Sequence, residues 1–159
     1  CIGRNNYTNY ISTEECDCMK KKIFNLILPI VTLILEILPY GAVCVFAPSP
    51  TERSRETFSY FDLTPFGYAN FTPFITAVLT CGIIIILVLY CVTGKEGLSI
   101  LARNTLFITS IISLGPLLFG ISFFSVVGAL ITIFLICELI LLHFHIKKQS
   151  RMINFSSLN

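Results

Sequence analysis

Apolar positions along the chain fall into four long runs, and the polar positions fall almost entirely between them. The runs cover about residues 23–47, 73–92, 98–119 and 121–146. Each approaches the roughly 20 residues that a helix needs to cross the hydrocarbon core of a bilayer. In the first run, Pro39 removes a backbone donor and crowds the carbonyl of Leu35, which predicts a kink near Leu35–Gly41. Pro48 and Pro50 end that helix. The third run opens at Leu98 or, if residues 98–102 form an interfacial turn, at Thr105. Gly115-Pro116 and Gly120 break the last two runs into a tight hairpin. The pattern predicts an all-α membrane protein, a bundle of four transmembrane helices.

Residues 48–72 form the one substantial loop. Its first third is charged, with Glu52, Arg53, Arg55 and Glu56 nearly cancelling. The remainder is aromatic, and Phe58, Tyr60, Phe61, Phe66 and Tyr68 favour the headgroup region, so the loop is expected to lie on the bilayer surface. Thr64-Pro65 and Thr72-Pro73 both suit helix starts, with threonine as the cap and proline as the first helical residue.

Composition strengthens this reading. Charged residues make up 13% of the chain, about half the share in an average soluble domain. Apolar residues make up 55%, and the mean hydropathy is +0.83. The net charge of +2 is too small to suggest nucleic acid as a partner. Cys44, Cys81, Cys91 and Cys137 fall inside apolar runs, where free cysteine behaves as a small hydrophobe. Cys16 and Cys18 have no second pair to complete a metal site, so no metal is expected.

Charge asymmetry sets the orientation. With four spans, Lys20–Lys22, Lys95, Arg103, Lys147, Lys148 and Arg151 share one side, and only Arg53 and Arg55 face the other. The positive-inside rule then places both termini in the cytoplasm of a multi-pass protein of the cell membrane, with the aromatic loop outside. Residues 1–18 are polar and aperiodic, and Met19 before three lysines reads as a start. Glu14-Glu15 can be encoded by a ribosome-binding purine run. Residues 1–18 are therefore expected to be a non-native leader or a disordered tail, and residues 152–159 a cytoplasmic tail.

Ionisable groups inside a membrane are costly, which makes two glutamates the candidates for chemistry. Glu36 lies 14 residues beyond Lys22, about 21 Å along a helix, in the outer half of the bilayer. Asn25, Pro29, Thr32, Glu36, Pro39 and Tyr40 share its helical face, a polar stripe expected to turn inward. Glu138 lies nine residues before Lys147, in the inner half. Different depths argue against one paired-carboxylate site. The two glutamates, with Thr32 and Tyr40, mark either a proton or cation path or carboxyls bonded to neighbouring hydroxyls that fix the bundle. The second reading is preferred, with Thr76, Thr80, Thr105, Thr109 and Ser113 as hydroxyl partners. Ser125, Gly128, Ala129 and Thr132 form a small-residue face suited to helix packing.

Neither a glycine-rich phosphate loop nor a zinc-protease or nucleophile-elbow motif occurs. His143 and His145 sit at the basic exit of the last run and read as interfacial residues. The Met-Lys-Lys-Lys start and the segment FSYFDLTPFGYANFTPF resemble small uncharacterised four-span membrane proteins of Gram-positive bacteria, over Met19 to Arg151. The resemblance implies a bacterial membrane setting and brings no activity, cofactor or catalytic residue. The expected function is non-enzymatic: an integral membrane protein acting by interaction, as an accessory, regulatory or structural component. Beyond the lipid bilayer, its partner is either another membrane protein or a second copy of the chain. The alternative is a small proton- or cation-coupled transporter or channel using Glu36.

Overall fold

A computed structural model describes residues 25–46, 54–64, 71–118, 120 and 124–156. The expected leader, residues 1–18, lies outside the described residues, as do Phe66 and Tyr68. The described chain is mostly helical. Helix α1 covers Asn25–Ile37. A two-stranded antiparallel sheet follows, β1 at Ala42–Phe46 and β2 at Ser54–Phe58. Then come α2 (Thr72–Thr93), α3 (Glu96–Ser113), the single turn α4 (Gly115–Leu118) and α5 (Val126–Ser156).

Three of the described helical stretches are long and apolar enough to cross a membrane: Thr72–Thr93, Glu96–Leu118 and Val126–Lys148. At 1.5 Å per residue they measure about 33–35 Å, against roughly 30 Å of hydrocarbon. The second and third runs of the sequence therefore became helices close to their expected limits, and the third begins at Glu96. The fourth starts later than expected, at Val126, and continues as helix through the expected tail to Ser156.

The first run departs from expectation. Helix α1 stops at Ile37, two residues before Pro39, and does not bend and continue to Ala47. Residues 38–41 turn the chain, and the next five residues, Ala-Val-Cys-Val-Phe, become a strand. Its partner is the charged segment Ser-Arg-Glu-Thr-Phe, with Ala42 opposite Phe58 and Phe46 opposite Ser54. Five consecutive apolar residues are compatible with a buried strand as well as with more helix, and here the proline decides. Thus the expected surface loop is in part a β-hairpin, and the described residues form three long apolar helices, one shorter apolar helix and a small sheet.

Helix faces explain the packing. On α2 the buried residues Pro73, Thr76, Ala77, Thr80, Ile83, Leu87 and Tyr90 recur every three or four positions. On α3 the buried face is Ser99, Ala102, Leu106, Thr109, Ser110 and Ser113. Gly128, Ile131, Thr132, Leu135, Glu138 and Leu142 make the corresponding face of α5. Helix α3 packs against both α2 and α5. The opposite faces keep large apolar side chains exposed, among them Ile85, Ile111 and Ile133. That pattern fits hydrocarbon as the surrounding solvent.

Candidate functional site

Hydroxyls dominate the polar positions of the interior, and most bond back to their own helix. Thr32 donates to the Leu28 carbonyl at 3.1 Å, Thr76 to Thr72 at 2.8 Å, Thr109 to Thr105 at 2.8 Å and Thr132 to Gly128 at 3.0 Å. Thr105 and Ser113 likewise bond the carbonyls of Leu101 and Ser110. This back-bonding satisfies the hydroxyl without a partner helix. Of the five expected hydroxyl partners, Thr80 alone reaches a glutamate.

The Thr80 hydroxyl of α2 lies 2.8 Å from Glu36 Oε1 and 3.0 Å from the Thr76 carbonyl. A hydroxyl carries one proton, so it can donate to only one of these oxygens. Both bonds form together when the carboxyl is protonated: Glu36 donates to Thr80, and Thr80 donates to Thr76. Glu36 is fully buried, and its Oε2 has no bonding partner.

Glu138 is 2% exposed, and neither of its oxygens has a partner. It lines a narrow cleft with Asn25 and Leu28 of α1, Leu87 of α2, and Leu141 and Leu142 of its own helix. The Asn25 amide nitrogen is likewise buried and unpaired. No hydrogen bond joins Glu36 to Glu138. Both carboxyls are buried in the interior, and they have different neighbours.

Of the other expected site residues, Thr32 is fully buried on the Glu36 face, together with Pro29. Tyr40 is 59% exposed and stands away from the interior. Its predicted place on the stripe assumed helical rotation past Pro39, and the helix ends before that point. Pro39 is exposed for the same reason.

Sequence reasoning treated Tyr60 as one surface aromatic among several, yet it is 1% exposed. Its backbone N–H donates to the Glu36 carbonyl at 2.9 Å, which hangs the end of the hairpin on the end of α1. A Cβ at Gly41 would come within 2.8 Å of the Tyr60 ring, and one at Gly128 within 3.2 Å of its hydroxyl. These glycines make the slot into which the ring fits. Burial pushes the Tyr60 phenol well above its ordinary pKa, so it stays protonated. Phe58 is half-buried, and its ring meets Phe46 edge-on at 6.3 Å. Phe61 stays at the surface.

Ser125 completes the cap. Its hydroxyl donates to the Gly41 carbonyl at 2.6 Å and accepts from the Gly128 N–H at 2.8 Å. It therefore acts as the N-cap of α5 while tying that helix to the turn after α1. The small-residue face at Ser125 and Gly128 receives the hairpin and Tyr60, where a neighbouring helix was expected. Ala42 bridges to Phe124, and Arg55 donates to the Phe124 carbonyl at 3.4 Å, closing the same corner. The available signal was glycine at both 41 and 128, but their pairing across the chain is invisible in one sequence.

Three helices of membrane-spanning length with apolar outer faces, and burial of the two mid-helix carboxyls Glu36 and Glu138, support a helical membrane protein. Comparison with protein-family models, with curated proteins and with solved structures gave no match.

Proposed function

We propose that this chain is a four-span protein of the cell membrane, with both termini cytoplasmic, and that it acts by interaction as an accessory, regulatory or structural component. In this reading the remaining crossing runs through α1, about 20 Å long, together with the apolar sequence on either side of it. The cation asymmetry, with Lys95, Arg103, Lys147 and Lys148 at one end of the helices, supports the orientation. One observation carries the choice of interaction over transport. The Glu36 carboxyl is held by Thr80, and Tyr60 is buried where α1 ends. A carboxyl bonded and covered in this way is suited to fixing the bundle, whereas a conducting path needs a group that exchanges its ligand with water.

A second reading has its own observation. Glu138 and Asn25 present unpaired polar atoms to one cleft. Buried polar atoms without partners are expensive, and they mark stations on a proton or cation path in membrane proteins.

Reconstitution of the native chain and Glu36→Gln in liposomes separates the two. The interaction reading expects no proton or cation flux from either form, and a stoichiometric protein partner or a second copy retained when the chain is purified from native membranes. Flux that Glu36→Gln abolishes while stability is unchanged overturns it in favour of transport.

A further inference from the structure

Helices α3 and α5 leave a groove between them on the outer surface of the bundle, with a volume of about 680 Å³. Small-molecule sites span roughly 300–1,000 Å³. The wall of the groove is almost wholly apolar, and Arg103, Asn104 and His143 stand at one end of it. The two helices run antiparallel, so Arg103 lies level with His143, and Phe107 and Ile108 lie level with Leu139 and Ile140. The polar pair faces the end of the bundle where α3 begins, and Lys147 follows His143 by one helical turn. Phe107, Ile108 and Ile140 are each about half exposed, so nothing else in the described chain covers them.

Arg103 makes this end chemically specific. Its guanidinium donates to the Asn104 side chain at 3.2 Å, and among the described residues that is its one side-chain partner. Four further N–H groups remain for an acceptor, and the charge is permanent. His143 is exposed and adds a ring N–H in either tautomer. A cationic fork at the mouth of an apolar channel matches an amphiphile with an anionic head and a hydrocarbon tail.

We propose that this groove is a binding site for one anionic phospholipid. The phosphate takes the Arg103 guanidinium and the His143 ring, and an acyl chain runs along Phe107, Ile108 and Ile140 toward the bilayer centre. The orientation given above puts the head in the cytoplasmic leaflet, where anionic lipids attract basic juxtamembrane groups. The site rests on the reading of the chain as a membrane protein, and it is independent of whether Glu36 carries ions.

The test is native mass spectrometry of the full chain in neutral detergent, with phosphatidylglycerol and phosphatidylcholine of identical acyl chains added in equal amounts. One phosphatidylglycerol per chain should be retained with about tenfold preference. Arg103→Gln should bring that preference to within about twofold of unity, Arg103→Lys should keep part of it, and Arg55→Gln on the hairpin should leave it intact. Ile108→Trp should exclude both lipids by filling the groove. Equal retention of the two lipids by the native chain overturns the proposal, as does unchanged preference in Arg103→Gln. A dimer that buries the groove and retains no lipid overturns it as well. Because binding is read in detergent, a reversed topology or a measured ion flux would refute the functional reading without moving this result.

Discussion

The bond between Thr80 and Glu36 can be tested as an energy. Replacing Thr80 by valine keeps the shape of the side chain and removes its hydroxyl. Thr76 loses little, because its carbonyl still serves the helix backbone. Glu36 loses its one side-chain bond, and with Oε2 already unpaired the whole carboxyl is stranded in a fully buried position. Stranding a buried polar group costs roughly 1–3 kcal/mol in proteins generally. Side-chain bonds inside membrane proteins average about 0.6 kcal/mol and reach about 1.7 kcal/mol. The burial of both partners argues for the upper part of that range, so Thr80→Val should destabilise by about 1–1.5 kcal/mol. Glu36→Leu in the native background strands only a threonine that retains its bond to Thr76, and the pair Glu36→Leu with Thr80→Val strands nothing. The double-mutant cycle should therefore show a coupling of about 1 kcal/mol. The assay is reversible unfolding in mixed micelles followed by far-UV circular dichroism. Single effects that add to within about 0.3 kcal/mol, the usual scatter for independent sites, would refute the reasoning.

Glu138→Leu should be neutral or stabilising in the same assay, because it replaces an unpaired buried carboxyl with a side chain that suits its leucine neighbours. Tyr60→Ala should cost about 3–5 kcal/mol through the cavity left between Gly41 and Gly128, whereas Tyr60→Phe should stay within about 1 kcal/mol of the native chain. Docking of the hairpin also predicts that Tyr60→Ala exposes the buried Cys44 thiol, raising its rate of maleimide labelling well above that of the native chain. Beside Tyr60, the Thr64 N–H donates to Asp62 at 2.9 Å and holds that carboxyl below its ordinary range. A depressed folded-state pKa means that this contribution is complete above the ordinary value and is lost as pH falls through the lower one. Protection of the Thr64 amide, measured as exchange relative to its intrinsic rate at each pH, should fall over that acidic window, and Asp62→Asn should remove the dependence.

The long helices were legible because a bilayer demands uninterrupted apolar runs, and α2 and α3 have little competing signal inside them. Glu36 was legible for a related reason: a carboxyl in an apolar run must face inward, and Thr32 and Pro29 on its face are buried with it. The strand at Ala42–Phe46 was not, because its alanine, cysteine, phenylalanine and valines continue the apolar run without a polar break. Pro39 was read as a kink in a continuing helix, and it marks the end. Tyr60 was misplaced by the same error. An aromatic next to a supposed span belongs at the membrane surface, but an aromatic at the end of a hairpin folds back onto the bundle and finds the space that two glycines leave. Such a slot is built from positions 41, 60 and 128, and no local pattern connects them.

Ser125 has a further consequence for how the molecule comes together. Its hydroxyl joins residues separated by 84 positions, and Phe124 beside it bridges to the first strand. A ribosome emits α1 and the hairpin long before α5 exists, and contacts of such wide separation cannot form until the intervening chain has been made. Until then the Gly41 carbonyl lacks this bond and half of the slot for Tyr60 is missing. The closing segment is thus synthesised well after the hairpin it closes, so a chain truncated before Ser125 leaves the hairpin unlatched and open to proteolytic surveillance. Helix α5 locks the turn that ends α1.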